Sequence, residues 1–114
     1  MTPELESLGR RAIACKDCRW MPGMLHRNWR NSTRVTEEHA GYRWDGWPDL
    51  SDPLTVQALL LLVREALGCP EAHVYYADLS RLWVVRWGYE GLGVRTVAGA
   101  TEAEALVAAL EAAP

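Results

Sequence analysis

Apolar positions recur most densely in residues 49–70, where Val56, Leu60, Val63 and Leu67 fall at helical spacing. Leu59, Leu62 and Ala66 widen that stripe and Leu61 nearly closes it, so the pattern predicts a helix covered on more than one side. Its limits are written locally. Asp52 can accept hydrogen bonds from first-turn amides, and Pro53 suits a first helical position, where a missing N–H is not needed. Gly68 can adopt the left-handed conformation that ends a helix, and Pro70 forbids continuation. The uninterrupted apolar run, residues 58–63, is followed by Arg64 and Glu65, which argues against a membrane span of about 20 apolar residues.

A second helical rhythm opens the chain. Thr2 and Pro3 form a cap and first turn, Glu4 and Glu6 suit a helix N-terminus, and Leu5, Leu8, Ala12 and Cys15 share one face of a helix ending near Lys16. A third closes it. Thr101 and Glu104 form a capping box, each expected to satisfy the other's end amide, ahead of Ala103, Leu106, Val107 and Leu110 on one face.

Period-two alternation predicts strands over residues 73–77, 82–89 and 94–98, joined by turns. In the middle strand Trp83, Val85, Trp87 and Tyr89 share one face and Leu82, Val84 and Arg86 the other, which predicts an interior position. Earlier in the chain, residues 19–21 and 24–26 flank Pro22-Gly23, a turn pair that predicts two short strands or one bent strand. Residues 28–41 are polar except for Val35, which suits an exposed loop or an edge hairpin, and residues 42–44 add a candidate strand. The expected class is α+β, in the order α-β-β-α-β-β-β-α. Three helices are expected on one face of a mostly antiparallel sheet of four to five strands, in a single domain over residues 1–114.

Composition changes this picture little. With 49% apolar and 24% charged residues, a chain of 114 residues has the makings of a folded domain. Six tryptophans beside no phenylalanine are unusual, but only placement decides whether they are core or contact surface. The net charge of −3 hides a segregation: seven bases and one acid lie between Arg10 and Arg34, whereas nine acids oppose four arginines after Asp45. No basic segment with an apolar h-region opens the chain, and three cysteines do not make a disulfide framework. A reducing cytoplasm is the expected location.

Candidate chemistry is sparse. Cys15 and Cys18 have the spacing of half a zinc site, but His26, His39, His73 and Cys69 complete no common ligand pattern, and a pair at a helix C-terminus is poorly placed for redox work. No metal or other cofactor is expected. No nucleophile elbow, phosphate loop or zinc-protease motif occurs, and Gly88, Gly91 and Gly93 suit turns better than a nucleotide cradle. Glu37, Glu38 and His39 sit in a polar loop where hydration explains them, so an enzyme is not expected. Arg10, Arg11, Lys16, Arg19, Arg27, Arg30 and Arg34, interleaved with Trp20 and Trp29, have the make-up of a nucleic-acid surface. The same residue types also carry most of the energy of protein interfaces.

Leu8-Gly-Arg-Arg-Ala-Ile-Ala-Cys15, Arg19-Trp-Met-Pro-Gly-Met24, Pro48-Asp-Leu-Ser-Asp-Pro53, Leu62-Val-Arg-Glu-Ala-Leu-Gly68 and the run from Glu102 to Ala113 resemble a group of small uncharacterised bacteriophage and prophage proteins. Relatives of this kind read Cys-Lys-Gly-Trp where this chain has Cys15-Lys-Asp-Cys18, which weakens zinc as the motif's purpose. The resemblance implies a genomic setting rather than an activity. That setting implies an accessory protein that binds a host or phage protein, with inhibition of a host defence system, anti-CRISPR-like or of another kind, as its sharpest form. The expected anchors are Trp29, Arg30, Arg34, Glu37, Trp44 and Trp47. The alternatives are a nucleic-acid module using the basic segment and a self-associating protein with Trp83 and Trp87 in its seam.

Overall fold

The structure, a computed structural model, describes residues 2–89 and 93–114. Among the described residues three helices and six strands follow the order α1 (Pro3–Ala14), β1 (Leu25–Arg27), β2 (Ser32–Arg34), β3 (Trp47–Pro48), α2 (Pro53–Leu67), β4 (His73–Ala77), β5 (Leu82–Tyr89), β6 (Gly93–Gly99) and α3 (Glu102–Ala112). The class is α+β, but the expected single sheet is two three-stranded antiparallel sheets, ordered β2-β1-β3 and β4-β5-β6. They belong to two compact units, Met1–Ala58 and Leu59–Pro114, and the unit boundary falls within α2.

In the first unit Thr2 Oγ1 accepts the Leu5 amide at 3.2 Å and Pro3 opens α1, as the capping pattern predicts. Pro22 and Gly23 do form a tight turn, with Gly23 at φ +94° and the Met24 amide bonded to the Met21 carbonyl. The turn does not join two strands, however. β1 pairs instead with β2, in the register Leu25↔Arg34, His26↔Thr33 and Arg27↔Ser32. The edge-hairpin reading of the polar stretch is therefore the correct one, with Val35 buried beside Met24 and Ala58. The strand expected at residues 42–44 is absent and the third strand is Trp47–Pro48, paired with Arg27 and His26. Only Gly at position 9 allows α1 to approach this strand, because a Cβ there would lie 2.6 Å from the Pro48 carbonyl and 2.9 Å from the Trp47 ring.

Asp52 caps α2 through the Thr55 amide at 3.0 Å. In the second unit the same helix ends in a Schellman arrangement: Gly68 has φ +62°, its amide reaches Glu65, and the Cys69 amide reaches Arg64. Leu59, Leu62, Val63 and Leu67 are buried but Leu61 is half exposed, so one side of the helix remains open. β4, β5 and β6 match the predicted strands to within a residue, with β5 in the middle. α3 covers the face bearing Val85 and Gly99, where a Cβ on Gly99 would strike the Ala105 backbone. Thr101 accepts the Glu104 amide as expected, whereas the Glu104 carboxylate reaches the Ala100 amide, one residue earlier than the reciprocal box would place it. Trp83 and Trp87 share the helix-covered face and are half-buried. Among the described residues, no helix is long and apolar enough to cross a membrane.

Candidate functional site: an aromatic hairpin tip

The most exposed aromatic side chain of the first unit is Trp29, at 79%. It sits in the four-residue connection between β1 and β2, and Asn28 holds that connection in shape. The Asn28 side-chain oxygen accepts the amides of Arg30 and Asn31, both at 2.9 Å, and its own amide donates to the Asn31 carbonyl. Its side-chain nitrogen reaches Asp45 at 3.4 Å. Trp29 and Arg30 are thus presented on a braced turn rather than a slack loop.

The Trp29 ring is braced as well. It meets Trp47 edge to face at 5.5 Å, and the Arg10 guanidinium lies 5.5 Å from the centre of Trp29 and 4.5 Å from that of Trp47. Glu6 pairs with Arg10 one helical turn away. Beside these rings runs a shallow groove of about 410 Å³, lined by Pro3 and Glu6 of α1, Arg27, Asn28 and Trp29 of the hairpin, and Trp47 of β3. An aromatic side chain held in place while exposed is pre-organised for contact, because little side-chain freedom is left to lose on binding.

The other expected anchors divide. Arg30 and Glu37 are exposed, Arg30 next to Trp29 at the tip. Arg34 is engaged with both carboxylate oxygens of Asp52. Trp44 is half-buried; its indole N–H donates to the His39 carbonyl and its ring packs on Trp20 and His26. Trp47, expected at the surface, is only 2% exposed, because α1 closes over it at Gly9. Its role is to support Trp29 from below. Asn28 and Arg10 do the bracing and were not read as such. The Asn-x-x-Asn spacing of residues 28 and 31 was the available signal for the turn, whereas Arg10 carried none.

Three of the seven bases of the basic segment are paired with local acids. Arg10 faces Glu6, Arg27 donates to Asp49 at 3.0 Å, Arg34 grips Asp52, and Arg11 and Arg19 also have partners. Lys16 and Arg30 are exposed. Burial, and then Cys15, push the Cys18 thiol up to about 11, which disfavours the thiolate that metal binding and redox exchange require. Among the described residues, no three His, Cys, Asp or Glu side chains converge as metal ligands.

These ion pairs make stability depend on acid. The hydrogen bond from Arg34, against some burial, holds the Asp52 carboxyl below its ordinary 3.8. Burial pushes Asp49 up, but bonds from Ser51 and Arg27 outweigh it and hold that carboxyl below 3.8 as well. The unfolded chain therefore takes up these two protons at higher pH than the folded one does. Their stabilisation is complete above about pH 5 and is lost as pH falls through the ordinary carboxylate range and then the depressed values. The urea midpoint should hold level from neutrality to about pH 5 and drop below about pH 4, with the drop flattened in an Asp49→Asn/Asp52→Asn double variant.

Comparison of the chain with protein-family models, curated proteins and solved structures finds no match.

Proposed function

We propose that this chain is a non-enzymatic binding protein that occupies the surface of another protein with its Trp29–Arg30 tip. The observation that carries this reading is Trp29 itself, 79% exposed yet braced by Asn28 below its backbone and by Trp47 and Arg10 against its ring. Leaving so large an apolar ring in water forgoes a burial worth about 1.5–3 kcal/mol for a large apolar side chain, which a partner's pocket would recover. Tryptophan and arginine side by side are the residue types that dominate interface energies. The phage and prophage resemblance supplies the setting, that of an accessory protein in the host cytoplasm. A host defence complex is the partner class that this setting favours.

The pairing of Arg10, Arg27 and Arg34 with carboxylates supports protein over nucleic acid as the partner, since each phosphate contact would have to displace an acid already in place. Affinity capture from infected cells with the tagged full chain tests the reading. One stoichiometric host protein is expected. Trp29→Ala, whose circular dichroism should be unchanged, is expected to weaken that complex about thirtyfold or more, the hot-spot threshold of about 2 kcal/mol. Equal capture by the variant would remove the tip from the interface. Salt-sensitive retention on DNA or RNA without a protein partner would reassign the chain to the nucleic-acid class.

A further inference from the structure

The second unit carries an edge that folded proteins normally protect. β6 spans seven residues, Gly93–Gly99, and pairs one-for-one with β5 over its whole length, from Trp83↔Gly99 to Tyr89↔Gly93, with no bulge to twist its outer side away. It contains no proline and a single charge, Arg95. Among the described residues β5 is the only strand bonded to it, and its other backbone face meets none. Residues 93–96 and 98 are exposed. Such a row of unpaired amides and carbonyls is a template for another strand, and the usual protections of charge, proline, bulge and covering element are nearly all missing.

We propose that the outer edge of β6 pairs antiparallel with the same edge of a second copy of this chain, about a two-fold axis at Thr96. The sequence of the strand is what selects a copy and this register. Centred on Thr96, all seven residues find a partner: Gly93 opposite Gly99, Val94 opposite Ala98, Arg95 opposite Val97, and Thr96 opposite itself. No like charges stand directly opposite one another, the two Arg95 side chains being only diagonal neighbours, and a threonine pair occupies the centre, a favourable cross-strand combination. Centring on Arg95 would set two guanidinium groups against each other, and centring on Val97 would leave Gly93 and Val94 unpaired. A shift by one residue would turn the apolar side chains to the wrong face.

The pairing also extends an existing surface. Val94, Thr96 and Ala98 lie on the face that α3 leaves open, in register with Gly88, Arg86 and Val84 of β5 respectively. Exposed Tyr75 and Leu82 lie on the same face, so two copies joined at β6 present one six-stranded sheet with a continuous, mainly apolar side. This association is separate from the hairpin tip and does not depend on the role assigned to Trp29.

Sedimentation velocity on the full chain tests it. At about 100 μM, enough to populate a dimer of micromolar affinity, the wild type should sediment as a dimer. Thr96→Lys and Thr96→Glu each place like charges across the axis on an exposed side chain. Each alone should sediment at half the mass with unchanged circular dichroism, and an equimolar mixture should recover the dimer as a Lys–Glu heterodimer. Trp29→Ala should remain dimeric. A monomeric wild type, single variants that stay dimeric, or a mixture that stays monomeric would each overturn the proposal.

Discussion

Trp47→Ala is expected to destabilise the first unit by about 3 kcal/mol, at the lower end of the range for large aromatic truncations in cores. Three contacts set the size of the loss. The ring is 2% exposed, it lies against the Gly9 backbone where α1 crosses β3, and it carries both the Arg10 guanidinium and the edge of Trp29. The neighbours cannot collapse into the gap, because α1 and β3 are already held at backbone contact. One feature pulls the cost down: among the described residues the buried indole N–H of Trp47 has no hydrogen-bond partner, and an unmade buried bond costs about 1–3 kcal/mol that truncation relieves. Trp47→Phe should therefore cost less than about 1.5 kcal/mol, keeping most of the ring while deleting the orphaned donor. Urea unfolding followed by far-ultraviolet circular dichroism measures both. If alanine and phenylalanine prove equally mild, Trp47 is not the support assigned to it. The alanine variant should also weaken partner binding, since Trp29 would lose its edge contact.

Asp52→Ala is the second large loss, about 2 kcal/mol. The carboxylate does three things at once. It caps α2 at the Thr55 amide, accepts the Thr55 hydroxyl at 2.8 Å, and takes both ends of the Arg34 fork. The cap is worth about 1 kcal/mol. The Arg34 pair adds little to this, because the arginine is 43% exposed and water screens it. The Thr55 hydroxyl is buried and itself accepts the Leu25 amide at 2.8 Å, so the cap is tied to the start of β1. Asp52→Asn keeps the cap acceptor and loses the charge, and its stability should fall between those of the wild type and the alanine variant. Amide exchange at Leu25 and Thr55 should accelerate in the alanine variant beyond the rest of the first unit. Exchange unchanged at both would separate the cap from β1.

Helix limits were readable because their causes are local. Thr2 with Pro3, Asp52 with Pro53, Gly68 and Thr101 each act within a few residues, and each terminates or opens a helix where the pattern places it. The meander was readable for the same kind of reason, since side-chain alternation and short turns leave little choice of pairing among β4, β5 and β6. The first sheet was harder. β2 is Ser-Thr-Arg with every side chain exposed, so it carries no apolar alternation, and β3 has two residues, one of them proline. What makes them strands is their pairing with β1, which a one-dimensional pattern does not display.

The tryptophans mark the same boundary. Sequence alone determined that six large rings were present and that two of them, Trp29 and Trp47, fall in the segments now seen as the hairpin connection and the third strand. Which of the two faces water was decided in three dimensions, by a glycine on α1 that lets a helix lie directly on Trp47 while the Asn28 turn lifts Trp29 clear. Local hydrogen bonding and periodicity are encoded over a few neighbouring residues. Burial is a property of what the rest of the chain brings close, and here that partner lies some forty positions away.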